Sequence, residues 1–481
     1  MAGESIYWYD FETFGADPRR DRPAQFAGLR TDLNLCQLGD PLVQYCRPAD
    51  DFLPHPDACL ITGITPQKAR ELGVPEAEFI ARINQEFAKP NTCVAGYNSI
   101  RFDDEVTRNT LYRNFFDPYA REWQNGNSRW DLIDVVRLTH ALRPEGINWP
   151  SHQDGKPSFR LEDLTKANNL QHEAAHDALS DVHATIDIAR LIKKHQPRLY
   201  DYVFQLRGKH EVGKLLDVVN KTPVLHVSAM YPAELGCIAM VAPLAVHPGN
   251  RNEIIVYDLR HDPQAFLHLS VDELQQRLFT RQDELPEGMA RLPIKTIHIN
   301  KSPVVVPLNT LTQEAAKRWQ IDPQKGDDHV DRLRKSPQFI AALSEVYQQR
   351  SFAPETDPDL MLYSGGFFSN EDRQRMELIR HTVPEDLASL SLPFQDARIP
   401  EMLFRYRARN YPQSLSMEEK QRWDEFRLHR LIDSNAGGGI CEAEFVSLIE
   451  ERLKTEDIPQ FQQEILRELL NYRSEIIPSH M

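Results

Sequence analysis

No apolar run in this 481-residue chain approaches the ~20 residues of a membrane-spanning helix, so no membrane partner is expected. Cysteine is scarce. Cys36, Cys46, Cys59, Cys93, Cys237 and Cys441 form no CxxC pair and no Cys/His zinc spacing, which argues against a zinc ribbon or a redox dithiol. Buried or incidental thiols in a reducing cytoplasm are the expectation. Repeats and low-complexity tracts are missing. The first apolar stretch starts at Ile6, which leaves no room for a signal peptide. Positive charge is also short, with 56 Lys and Arg against 71 Asp and Glu, a net −15. A simple nucleic-acid coat protein would be basic. A nuclease is not excluded, because metal ions can neutralise its site and basic residues can be concentrated on one track. The charge is uneven: residues 351–481 hold 24 acids against 15 bases, whereas residues 191–214 hold six bases against Asp201 and Glu211.

Against these absences stands Ile6-Tyr7-Trp8-Tyr9-Asp10-Phe11-Glu12-Thr13-Phe14-Gly15. Its aromatic and apolar run is the composition of a buried strand. Side chains alternate along a strand, so Asp10 and Glu12 share one face. Two like charges beside a buried sheet force one to take a proton unless a cation sits between them. A metal site, with Mg²⁺ preferring carboxylate oxygen, is one reading; two solvated acids at a strand end is the other. Asn34–Asp40 and Pro41–Cys46 read as a hairpin turning near Gly39-Asp40. Thr65-Pro66 is a helix start, with a helix over 66–72, and 76–87 is a second, amphipathic helix. Thr92–Tyr97 is a buried strand.

Asp103-Asp104-Glu105 follows at a strand-to-helix junction, where a carboxylate can project beside the first strand; helix-start acids favoured by the macrodipole are the alternative. Between Tyr112 and Arg143 aromatics and arginines interleave, including Tyr119, Arg121, Trp123, Arg137 and Arg143, a mix that suits stacked bases and phosphates or an ordinary half-buried helical region. Ser158–Leu164 reads as a helix start, with Ser158 as its cap. Asp177 reads as the cap of a later helix with Leu179, Val182, Ile186 and Ala189 as its core stripe. His176 precedes that helix and Asp181 lies one turn inside it.

A strand DxE, an NxxxFD before a helix and an HxxxxD across a helix start, in this order, resemble the DEDDh family of 3′→5′ exonucleases, with Thr62-Gly63-Ile64-Thr65 similar to that family's substrate-end loop. Asp10–Gly15, Gly96-Tyr97-Asn98, Arg101–Asn109, Arg143–Pro150, Leu164–Asn168 and Phe404–Asn410 resemble the exonuclease I branch of the family over nearly the whole length. The resemblance implies an α/β fold: an RNase H-like exonuclease domain with a mixed sheet and flanking helices (1–195), an SH3-like β-barrel domain (196–351) and a C-terminal all-helical domain (352–481). Short strands at 224–227, 237–242, 253–258 and 294–299, with a helical insert at 271–279, fit the second part. Helical patterns at 372–381, 401–410, 417–432, 442–454 and 459–475 fit the third.

The same resemblance implies that Asp10, Glu12, Asp103 and Asp181 hold two Mg²⁺ ions, or Mn²⁺ in their place, about 4 Å apart. His176, titratable near neutrality, would be the general base. Asp104 and Glu105 stay outside the site. Single-stranded DNA with a free 3′ end would run past Thr62, Arg108, Tyr119, Trp123, Arg137, Arg143 and Arg160, with Glu12 also facing the substrate. The reaction would be processive release of 5′-mononucleotides in DNA repair and recombination, with the C-terminal helices closing a ring over the groove. A monomer in the cytoplasm is expected, docking the acidic C-terminal tail of single-stranded-DNA-binding protein. The competing readings are an RNA-directed or proofreading exonuclease, and a catalytically silent single-strand binder.

Overall fold

A computed structural model describes residues 3–171, 177–350, 354–455 and 458–478. The chain divides into two compact units. One comprises Met1–Ser128, Glu173–His183 and Pro354–Met481; the other comprises Arg129–His172 and Ala184–Ala353.

The first unit is built on strands β1 (Ser5–Thr13), β2 (Pro23–Thr31), β3 (Leu42–Tyr45) and β4 (Thr92–Gly96), in the order β3-β2-β1-β4. β2 runs antiparallel to β1 and β4 runs parallel to it, so the sheet is mixed. β1 is central, which explains its composition: Trp8, Tyr9 and Phe11 are all buried. The hairpin partner of β3 is β2, not Asn34–Asp40, which forms the connection between them. Pro, Ala and Gly interrupt the apolar pattern of β2, so its sequence does not mark it as a strand. A Cβ on Gly28 would meet the Tyr7 ring at 2.4 Å. The glycine is required by the packing of the strand beside it.

Helices α1 (Pro56–Thr62), α2 (Pro66–Leu72), α3 (Glu76–Phe87) and α4 (Asp103–Arg113) flank the sheet. Thr65 caps α2 by accepting from Lys68 N, and Pro66 occupies the first helical position. α3 buries Phe79, Ile80, Ile83 and Phe87 against Tyr7, Tyr9, Phe11 and Phe26. α1 was not expected. Its start is set by His55, whose Nδ1 accepts from Asp57 N, and its end by Gly63 in the left-handed region at φ 66°.

The helices Asn370–His381, Arg398–Asn410, Met417–Ile432, Glu442–Leu453 and Gln460–Ile476 belong to the same unit. They match the expected helical stretches to within a few residues. They share a core with the segment that carries β1 and α1: Phe14, Phe52, Leu53 and Ile64 pack with Leu431, Phe445, Leu469 and Tyr472. A buried ion network adds to this. Arg409 donates to Asp51 at 2.8 Å and to Asp359 at 2.6 Å, and Arg430 donates to Asp357 at 2.8 Å.

Strand β5 (Ser128–Asp131) carries the chain into the second unit. There, β6 (Val224–Val227), β7 (Ile238–Val246), β8 (Glu253–Asp258), β9 (Ile294–His298) and β10 (Val304–Pro307) form an antiparallel sheet in the order β10-β6-β7-β8-β9. The four expected strands are present, and β10 adds a fifth. Helices at Pro323–Arg334 and Pro337–Gln348 follow and were not expected. Ser158 sits two residues before the cap position of the Leu161–Ala167 helix, which Arg160 occupies. Its hydroxyl donates instead to Asp163. Among the described residues, no helix is long and apolar enough to cross a membrane.

Candidate metal centre and single-strand track

The central strand delivers two of the acids. Asp10 and Glu12 lie on one face of β1, as the period of a strand requires. Asp181 comes from the first turn of the Ala178–His195 helix, whose start is capped by Asp177 through a bond from Ser180 N at 3.1 Å. Val182, Ile186 and Ala189 are buried and fix the rotation of this helix. One carboxylate oxygen from each of Asp10, Glu12 and Asp181 lies within 4.8 Å of the others. Asp103 opens α4, and its Oδ1 accepts from Phe11 N at 3.1 Å, which anchors the carboxylate beside β1. His176 lies outside the described residues.

The electrostatics are those of like charges gathered in a buried cluster. Removal from water, then the charges of Asp103, Glu12 and Asp181, push Asp10 well above the usual carboxylate range. Burial, then Asp181 and Asp103, push Glu12 up to about 9. Asp177 adds to both shifts. The donors are all hard carboxylate oxygens, which fits Mg²⁺ or Mn²⁺. The donor set therefore suits divalent cations.

Asp104 is different from its neighbour. It is buried, accepts from Tyr9 Oη at 2.9 Å, and is paired with Arg121 at 2.5 Å. The interleaved pattern suggests Arg121 as a phosphate ligand; the structure buries it as the counter-ion of Asp104. The same holds for much of that stretch, since Tyr112, Arg113, Phe115 and Trp130 are all buried. Arg113 pairs with Glu76 of α3. No local signal separated these residues, because their partners lie far away in sequence.

The residues expected on the track fall in both units. Thr62 ends α1; its hydroxyl donates to Ala58 O and accepts from Ile64 N. Arg108 is 4% exposed and held by Glu122 and Glu105, and its guanidinium lies 5.4 Å from the Tyr119 ring. Tyr119 meets Phe367 edge-on at 6.1 Å, and Trp123 is 67% exposed. In the second unit Arg137 pairs with Asp134 at 2.5 Å and Arg143 donates to Leu142 O and Thr310 O. Arg160 is largely exposed, 3.8 Å from Glu162.

Three family models cover the chain: an exonuclease model over residues 7–189, the exonuclease I SH3-like domain over 207–349, and the exonuclease I C-terminal domain over 356–476. Exodeoxyribonuclease I of Escherichia coli is 51% identical over 88% of this chain and 89% of its own length. The chain belongs to the exonuclease I family. Among solved members, exonuclease I from Methylocaldum szegediense matches with a TM-score of 0.95 and 52% identity, over 99% of this chain and all of the other. A zinc-bound complex of E. coli exonuclease I with single-stranded DNA matches with a TM-score of 0.94 and 46% identity, over 99% and 100% of the two chains. Membership of the exonuclease I family carries the fold class with it: an RNase H-like exonuclease domain, an SH3-like domain and a C-terminal helical domain. It also makes the chain an enzyme that depends on a divalent metal.

Proposed function

We propose that this chain is a 3′→5′ exodeoxyribonuclease that degrades single-stranded DNA processively to 5′-mononucleotides, in DNA repair and recombination. The observation that carries the reading is the convergence of Asp10, Glu12 and Asp181 within 4.8 Å, in a chain half identical to a named exodeoxyribonuclease I. Asp10, Glu12, Asp103 and Asp181 would hold two Mg²⁺ ions. When bound, such ions supply Lewis-acid stabilisation to both the attacking and the leaving oxygen of an in-line displacement.

The protein's own residues do the rest. His176 takes a proton from the attacking water, whose oxygen bonds to the last phosphorus as the bond to the 3′-oxygen breaks. The shortened strand keeps a 3′-hydroxyl. Arg160 holds a phosphate near the scissile end and Thr62 meets the terminal nucleotide. Trp123 and Tyr119 offer stacking faces, while Arg108, Arg137 and Arg143 supply positive charge along the strand. The segments 1–195, 196–351 and 352–481 are the nuclease, the SH3-like part and the ring-closing part. The protein works as a cytoplasmic monomer and docks the acidic tail of single-stranded-DNA-binding protein.

The polarity is tested with end-blocked oligonucleotides. A strand whose 3′ terminus is an inverted nucleotide should resist, while one blocked only at its 5′ end should be degraded. The opposite pattern would overturn the reading.

A further inference from the structure

The C-terminal helices are tied to the backbone that emerges from the metal strand. Tyr472, on the Gln460–Ile476 helix, is fully buried. Its hydroxyl reaches back into the nuclease segment and donates to Phe52 O at 3.3 Å and Ala49 O at 3.4 Å. This 49–55 connection is bonded in turn to the end of β1, since His55 N donates to Phe14 O at 2.7 Å. Phe14 lies two residues past Glu12, is 1% exposed, and its ring meets Phe52 at 5.9 Å. His55 also caps α1, the helix that ends at Thr62.

Phe14 and Phe52 share one buried cluster with Ala24, Leu53, Cys59, Ile64 and Ala69 of their own segment and with Leu431, Phe445, Leu466, Leu469 and Tyr472 of the C-terminal helices. At the surface Arg452 forks onto Asp57 in the first turn of α1 at 2.9 and 3.0 Å, and Arg70 of α2 pairs with Glu475 at 2.8 Å. A segment that merely closed over a bound strand would leave the strand-to-α1 connection self-supporting. Here the C-terminal helices supply part of both the burial and the hydrogen bonding of that connection.

We infer that the C-terminal helices position the hydrolytic site itself, with Tyr472 as a positioning residue acting through Phe52 and Phe14 on Glu12. This rests on reading Asp10, Glu12 and Asp181 as that site. Positioning predicts a defect in the chemical step that does not depend on substrate length, whereas a clamp predicts a defect only on long strands.

The test uses the full chain and the variants Tyr472→Phe and Leu469→Ala. Single-turnover removal of the first nucleotide is measured on (dT)4 and on (dT)60. Nucleotides removed per encounter on (dT)60 are measured with a trap, and Mn²⁺ binding is followed directly by electron paramagnetic resonance. Tyr472→Phe keeps the ring in place, so it reports on the hydroxyl even if Leu469→Ala fails to fold. The expected result for Tyr472→Phe is a first cleavage slowed about threefold to tenfold on both oligonucleotides alike, with weaker Mn²⁺ binding. First cleavage and Mn²⁺ binding at wild-type levels, with only the number removed per encounter reduced, would overturn the inference. Failure of the wild-type chain to shorten (dT)60 would instead sink the nuclease reading.

Discussion

Glu12 is held in a pocket where its own charge is unwelcome. Its side chain is 8% exposed, and burial with Asp181 and Asp103 raises its carboxyl from 4.5 to about 9. In metal-free protein at pH 7 the folded chain therefore keeps this carboxyl protonated, while the unfolded chain ionises it. That difference costs the fold about 3 kcal/mol, the free energy of taking up one proton against an unfolded pKa near 4.5. Because the folded value lies above the unfolded one, the cost is absent below about pH 4.5, grows as pH rises, and levels off near pH 9. Glu12→Gln carries no charge in either state. In EDTA it should unfold roughly 5 °C higher than wild type at pH 7, and the gap should widen from pH 5 to pH 8.5. Added Mn²⁺ should stabilise the wild type more than the variant, and hydrolysis should be lost. Calorimetry across this pH range makes the check. A gap that is absent, or that narrows as pH rises, would refute the account of Glu12 as a carboxyl buried among like charges.

Other substitutions separate structural acids from functional ones. Asp103→Asn should abolish hydrolysis and, in EDTA at pH 7, raise the unfolding temperature, since it removes one of the charges that burden Asp10 and Glu12. Asp104→Asn leaves Arg121 buried without its counter-charge and should cost about 3–5 kcal/mol in urea unfolding. Asp51→Asn should cost a similar ~3–5 kcal/mol, since Arg409, Arg22 and Arg430 converge on it. Those arginines overcome the burial penalty and hold Asp51 below its ordinary range. Its contribution is thus present at neutral pH and is lost only as pH falls through the depressed value. Trp123→Ala removes a 67% exposed ring and should weaken binding of a fluorescent single strand by about 1–3 kcal/mol, without shifting the unfolding midpoint.

Much of the site could be read from local pattern. β1 announces itself by its aromatics, and the spacing of Asp10 and Glu12 sets their shared face. α2 and α3 begin and end at the expected residues, because Thr65-Pro66 and a clear apolar stripe mark them. The Met417–Ile432 helix is likewise as expected, with Ser416 and Glu419 forming a capping box. What local pattern missed was set by distant partners. Gly28 of β2 makes room for the Tyr7 ring across the sheet, which no local pattern announces. Arg113 and Arg121 look like phosphate ligands but neutralise Glu76 and Asp104. Tyr472 carries no motif, and its importance appears only when residues 420 positions apart are brought into contact.

The most direct test of the central claim is a 5′-labelled single-stranded DNA incubated with Mg²⁺, beside a duplex and an RNA of the same sequence, with wild-type and Asp10→Ala protein in parallel. The account expects a ladder shortening from the 3′ end on single-stranded DNA alone, absent with Asp10→Ala. Equal cleavage of RNA would contradict the substrate assignment. Tight single-strand binding without any shortening would contradict the assignment of Asp10, Glu12, Asp103 and Asp181 to hydrolysis.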